Sequence, residues 1–197
     1  MNTLKAEKRT MDTKAKRLRR EGYVTGNVFG REMEGSMPVK IEKSAVEKLL
    51  KTSNKGSQIM LDVDGQSYDV LIKEIQFNPL KAQVDEIDFQ ALVSNEKVHS
   101  VAEIVLVNHD KLAAGVLQQH LEEISFRALP SALVDKVMVD VGDMKVGDVI
   151  KVKDLDIAKD KDVDLKTDLE AAVVSVAAVH VDPALEAEEE AAEEEAK

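Results

Sequence analysis

The stretch Ile59-Met60-Leu61-Asp62-Val63-Asp64-Gly65-Gln66-Ser67-Tyr68-Asp69-Val70-Leu71-Ile72-Lys73-Glu74-Ile75-Gln76 decides the fold class. Two runs rich in β-formers flank an Asp-Gly pair. That pair is the chemistry of a tight hairpin turn whose two central residues take positive φ. The spacing predicts a hairpin with strands over 59–63 and 68–76. Asn78-Pro79 ends the second strand, because proline cannot donate to a ladder. Gln83–Phe89 then predicts another strand, with Val84, Ile87 and Phe89 apolar and an uneven period around Asp85 and Glu86.

Upstream, Ser44-Ala45-Val46-Glu47 predicts a capping box, with Ser44 as N-cap and Glu47 reaching back. The helix it opens carries Val46, Leu49 and Leu50 on one face and ends over 51–54, before Gly56. Met37–Ile41 reads as a strand, and Tyr23–Gly30 as extended chain with glycine-permitted bends. Lys14–Glu21 predicts a short helix closed by Gly22. Thr3–Arg9 is a first strand.

Downstream, the charge balance changes over 91–97, which places a domain boundary there. Residues 1–91 hold 16 Lys/Arg and 14 Asp/Glu, whereas residues 92–197 hold 11 and 24. Val/Ile-rich runs at Val101–Val107, Leu121–Ala128, Val134–Val141, Val149–Val152 and Ala172–Val181, punctuated by Gly115, Pro130, Gly142 and Gly147, predict a β-dominated second domain over 92–181. Residues 182–197 carry eight acids and one lysine without apolar periodicity, the composition of a disordered acidic tail.

Composition narrows the function classes. The 197 residues include no cysteine, so disulfides, Cys-ligated zinc, iron–sulfur clusters and thiol nucleophiles are excluded. Aromatics make up only 3%, so the core is built from Val, Leu, Ile and Ala. No apolar run approaches the ~20 residues of a membrane span. The first 31 residues lack the apolar core of a secretory signal, and a cytoplasmic location is expected. Those residues hold nine Lys/Arg against three acids, a basic head on an acidic body. Such a segment attracts polyanions locally, or is simply solvated.

Enzyme chemistry finds little support. None of His99, His109, His120 and His180 lies in an i,i+4 metal pair. Asn108-His109-Asp110 resembles a proton relay only in composition. The run 154–168 is Asp-rich but lacks the glycine and terminal glutamate of a calcium loop, and reads as a solvated acidic loop. Gly22, Gly26 and Gly30 are spaced unlike any phosphate-cradling loop. No cofactor, metal or small-molecule substrate is expected. By contrast, Lys14, Lys16, Arg17, Arg19 and Arg20 fall within seven residues, and Lys16, Arg19 and Arg20 share one helical face. Like charges held together favour an anionic partner, and arginine can grip a phosphate bidentately. Leu18 anchors the segment, and Phe29 either packs or stacks on a base.

The string Lys16-Arg17-Leu18-Arg19-Arg20-Glu21-Gly22-Tyr23-Val24, continuing to Val28-Phe29-Gly30, resembles the R-R-L-R-x-x-G-x-V-P-A-x-x-Y-G signature of bacterial ribosomal protein L-twenty-five and its long form, the general stress protein CTC. Lys73-Glu74-Ile75-Gln76-Phe77-Asn78-Pro79 resembles that family's K-D-V-Q-x-H-P, and Glu86-Ile87-Asp88-Phe89 its H-V-D-F. Order and spacing agree, and Leu129-Pro130, Met138–Val141 and Gly147–Ile150 look like its second domain. The resemblance implies a β-dominated α+β chain. A small N-terminal β-barrel with short helices would bind 5S ribosomal RNA in the large subunit beside other subunit proteins, followed by a β-rich domain and the acidic tail.

Carried over residue by residue, the RNA surface would comprise Arg9, Lys14, Lys16, Arg17, Arg19, Arg20, Phe29, Lys73, Gln76, Glu86 and Asp88. The chain departs from the pattern at Thr25 and Gly26, in place of Pro-Ala, which reads as a less rigid turn. It departs also at Phe29 in place of Tyr, at Asp12-Thr13-Lys14 in place of Gly-Lys-Gly, at Asn78 in place of His, and at Glu86 in place of His. A carboxylate accepts but cannot donate, and it repels phosphate. Glu86 therefore raises an alternative: a divergent stress-associated paralogue with weakened RNA binding that acts through protein partners.

Overall fold

The computed structural model describes residues 2–178 apart from Met11, Glu32, Glu34 and 112–114. The acidic stretch 182–197 and the end of the run Ala172–Val181 lie outside the described residues.

Six strands close a barrel in the order β1-β3-β2-β6-β5-β4. They are β1 (Thr3–Lys8), β2 (Tyr23–Phe29), β3 (Met37–Glu42), β4 (Gln58–Val63), β5 (Gln66–Asn78) and β6 (Gln83–Ala91). The Asp-Gly hairpin forms as its chemistry demands, with φ of 51° at Asp64 and 90° at Gly65. Alternate residues point inward, giving β4 a strict buried-and-partly-buried alternation. Ile59, Leu61, Ile72, Ile87 and Phe89 fill the interior, and all are fully buried. Closure leaves no exposed sheet edge, which suits a barrel in a small unit.

Two helices decorate the barrel. Helix α1 (Ala15–Arg20) is short, as the sequence predicts, and ends where Gly22 adopts φ 89°. Helix α2 (Lys43–Leu49) buries Val46 and Leu49 in the barrel core. Its capping box does not form. The Lys43 amide donates to the Gly22 carbonyl at 3.0 Å, so tertiary pairing starts the helix two residues early, with Glu42 in the N-cap position. Ser44 then falls inside the first turn, and its hydroxyl donates to Glu42 Oε1 at 2.7 Å.

The remaining strands form two sheets. One has the order β10-β7-β9-β12, from β7 (Val98–Val107), β9 (Glu123–Ala128), β10 (Lys136–Asp140) and β12 (Val163–Leu165). The other is β11-β13-β8, from β8 (Val116–Gln119), β11 (Val149–Lys151) and β13 (Ala172–Ala177). Ile124, Phe126, Val141, Val152 and Val173 are fully buried in their common core. The Asp-rich stretch 154–168 is not a plain solvated loop. Leu155, between two 3-10 turns, and Ile157, in the second of them, are buried, and Val163–Leu165 pairs with β9. Its acids point outward at alternating positions while the aliphatic residues between them turn in.

Barrel and sheets meet over residues 54–57 and 98–103. Asn54 Nδ2 donates to Glu103 Oε2 at 2.6 Å, and Lys55 Nζ lies 3.2 Å from Glu123 Oε2. Ser100 Oγ donates to the Gly56 carbonyl at 3.3 Å. Gly56 has φ 90°, and a Cβ placed there would stand 1.9 Å from the Val101 carbonyl oxygen. Only glycine meets both conditions.

Candidate nucleic-acid interface

The face of interest is the outside of β2, β6 and β5. β2 runs parallel to β6, pairing Thr25 with Glu86 and Asn27 with Asp88. β5 runs antiparallel to β6, pairing Gln76 with Glu86 and Glu74 with Asp88. Two cross-strand rows result: Thr25–Glu86–Gln76 and Asn27–Asp88–Glu74. Gly26 sits between them where the parallel strands approach closely. A Cβ there would lie 2.1 Å from the Ile87 carbonyl oxygen. The segment around Thr25-Gly26 is therefore the middle of a strand rather than a loosened turn, and glycine is required for close approach rather than for flexibility.

Helix α1 lies beside β2, anchored by buried Leu18. Its basic residues Arg17, Arg19 and Arg20 occupy the last turn, where the helix dipole favours cations. This offsets part of their mutual repulsion without a ligand. Arg19 is the half-buried member. Its Nε donates to the Asp85 carbonyl at 3.0 Å, and its Nη2 donates to Thr25 Oγ1 at 3.4 Å. Arg19 also stands 4.0 Å from the Asp85 carboxylate and 3.7 Å from Glu86 Oε2.

Asp85 is the hub. It occupies the irregularity that makes the β6 period uneven, where the β5–β6 register shifts between Gln76 and Phe77. Asn78 Nδ2 and Gln83 Nε2 each donate to its carboxylate at 3.0 Å. These two amides, followed by Arg19 and Lys81, hold its carboxyl below the usual carboxylate range. On the next row, Asn27 donates twice to Asp88 Oδ1, from its amide and its side chain, both at 3.2 Å. Asn27 Nδ2 also reaches Glu86 Oε1 at 3.5 Å.

The structure brings Arg19, Gln76, Glu86 and Asp88 onto one face, with exposed Lys14, Lys16, Arg17 and Arg20 alongside on and before α1. Arg17 is bound to Glu21 at 2.8 Å, which raises its already high pKa. Phe29 is half-buried, joins neither core, and pairs with Gln90 at the far end of β2. Arg9 lies at the end of β1, its guanidinium donating to the Thr13 carbonyl at 3.0 Å. Lys73 does not join the group. A second register shift, between Ile72 and Glu74, turns it toward the sheets, where Nζ donates to the His99 carbonyl at 2.8 Å. Burial there and the nearby Lys55 push its pKa down. Sequence reasoning missed Thr25, Asn27, Asp85 and Gln83 as organisers of the face. The uneven period at Asp85-Glu86 was the signal that could have found them.

Chemically, the face offers cations for phosphates beside amides and carboxylates that can accept from hydroxyls. It carries no nucleophile–base pair. His109 and Asp110 do pair at 3.1 Å, but in largely exposed positions. Among the described residues no helix is long and apolar enough to cross a membrane, and no group of three or more His, Cys, Asp or Glu is placed to hold a metal.

Comparison with known proteins agrees in both halves. The model of the Ribosomal L25p family matches residues 4–89, and that of the ribosomal protein TL5 C-terminal domain matches residues 97–180. The large ribosomal subunit protein bL25 of Geobacillus thermodenitrificans is 34% identical over 142 residues, 71% of this chain and 67% of that protein. The protein of the same name from Bacillus velezensis is 31% identical over 159 residues, covering 79% of this chain and 78% of its own length. That of Listeria monocytogenes is 32% identical over 157 residues, covering 78% and 75%. Barrel, sheets and relatives together define a structural, non-enzymatic component of the large ribosomal subunit. The chain belongs to the ribosomal L25 family, in the long form that carries a TL5-type second half, the CTC type.

Proposed function

We propose that this protein binds 5S ribosomal RNA in the large subunit of cytoplasmic ribosomes, with other subunit proteins as neighbours. Lys14, Lys16, Arg17 and Arg20 neutralise phosphates, and Arg9 extends that track along β1. Gln76, Asp88 and the shared Arg19–Glu86 pair meet the ribose edge. A-form RNA presents a wide, shallow minor groove lined with 2′-hydroxyls, which suits a strand face carrying both donors and acceptors. Phosphate contacts set position, and the strand face supplies discrimination. The observation that carries this reading is the mounting of the α1 cations directly beside the Gln76–Glu86–Asp88 rows. In this reading the working units are residues 1–91, which hold the RNA, and 92–181, with 182–197 as an acidic tail. Lys73 serves the join between the units rather than the RNA.

The test is binding of 5S RNA against an unrelated RNA of equal length across a salt titration. A preference for 5S RNA, falling steeply with salt, supports the reading. Equal binding to both overturns it.

The contact between Arg19 and Glu86 favours one second reading, in which RNA affinity is weakened and the acidic second unit engages protein partners. Glu86→His separates the two. A gain in 5S RNA affinity far beyond the few-fold expected from removing one charge points to a decayed site, and a gain no larger than that to a site that tolerates the carboxylate.

A further inference from the structure

The second unit has an unguarded sheet edge. Among the described residues β10 pairs only with β7, and Lys136–Asp140 make no backbone hydrogen bond outside that ladder. Natural proteins blunt such edges with charges, prolines or bulges. The guards expected here are both withdrawn. Lys136 Nζ is drawn back to Glu103 at 3.8 Å. The Asp140 carboxylate turns away to accept from the Gly142 amide and Asn108 Nδ2, both at 2.9 Å. Between them Met138 is 72% exposed. Its cross-strand neighbour on the same face is Val105, with Val107 next along β7 and Val101 on the far side of Glu103. None of these three valines joins either core. The result is an open backbone edge bordered by an apolar row.

The surroundings select the occupant. Residues 98–178 carry nine Lys/Arg against 15 Asp/Glu. On the row's own face Glu103 and Glu123 are offset by Lys136 and Lys55, which leaves Asp140, among the described residues, as the acid without a lysine partner. Against the acidic excess of the unit as a whole a nucleic acid would meet like charge, whereas a basic polypeptide would meet opposite charge. We propose that the β10 edge is the docking site for an extended segment of a basic large-subunit protein, which adds as a strand and lays an apolar side chain against Met138 and Val105. Backbone pairing supplies affinity in this mode, and the alternating side chains supply selectivity. The proposal rests on membership of the large-subunit family and not on the 5S RNA reading.

The chain has no cysteine, so Met138→Cys gives a single attachment point for a benzophenone photocrosslinker. The labelled protein is bound to large ribosomal subunits washed free of the native protein and then irradiated. A single cross-link to an extended basic segment of one subunit protein is expected. Cross-linking to RNA, to residues 179–197, to a second copy of this chain, or to nothing overturns the proposal. Met138→Lys, at a side chain with no core contact, restores an edge guard. It should release the protein from subunits at lower salt while leaving affinity for isolated 5S RNA unchanged. Equal retention on subunits overturns the proposal. Loss of 5S RNA preference in the unsubstituted protein would overturn only the RNA reading.

Discussion

Arg19 Nη2 lies 3.7 Å from Glu86 Oε2, so the central cation of the β2–β6 face already shares its charge with the neighbouring strand. Both side chains are a little over a quarter exposed, which keeps their coupling above that of a fully solvated pair. Glu86→Gln removes the charge and keeps the shape. Affinity for 5S RNA should rise by about 1 kcal/mol, roughly fivefold, at low salt. The slope of log affinity against log salt should steepen by about one contact. An unchanged slope would mean that Arg19 stays committed to Asp85.

Arg19 and Arg20 are adjacent but differ in kind. Arg19 bonds to the Asp85 carbonyl and Thr25, whereas Arg20 is exposed. Arg19→Ala should cost stability, about 1–2 kcal/mol for the lost charge-assisted bonds, and RNA affinity as well. Arg20→Ala should lower affinity and salt slope while leaving the urea midpoint in place. Paired denaturation and binding curves check this, and equal urea midpoints for the two variants would contradict it.

Gly26→Ala tests the close approach of β2 to β6. The new methyl would press on the Ile87 carbonyl oxygen, backbone that cannot swing aside. A loss of about 2 kcal/mol or more is expected in chemical denaturation, with the RNA face disturbed in proportion.

The Asp85 hub gives a pH signature. Its folded pKa is lowered, first by the amides of Asn78 and Gln83, so its contribution to stability is present above the ordinary carboxylate value near 3.8 and is lost as pH falls through the lower folded value. Asn78→Ala should move the Asp85 carboxyl pKa upward toward 3.8, read by carboxyl-carbon NMR titration. The onset of acid destabilisation should move up in pH with it.

Much of the barrel was legible because its signals are local. Asp64-Gly65 sets its own turn, Gly22 stops α1, and alternation fixes which side of β4 is buried. The β8 and β12 strands were not legible. β8 is four residues long, and the inward Val163 and Leu165 of β12 stand among acids. The Ser44–Glu47 box satisfied a local rule that the Lys43–Gly22 tertiary bond overrode. At the candidate site, the basic cluster could be read directly. Its partial neutralisation could not, because Arg19 and Glu86 are brought together only by the parallel pairing of strands far apart in sequence. Lys73 shows the same limit: one extra residue in β5 sends it to the opposite business of joining the two halves.

That join constrains what the molecule can do mechanically. Gly56 approaches the Val101 carbonyl closely, and four further polar contacts join the halves around it. A pull applied to the sheets would reach β5, whose Lys73 bonds the His99 carbonyl and whose next outward positions, Glu74 and Gln76, lie on the candidate interface. If that interface holds RNA, whatever holds the far half would also bear on the grip of the near one.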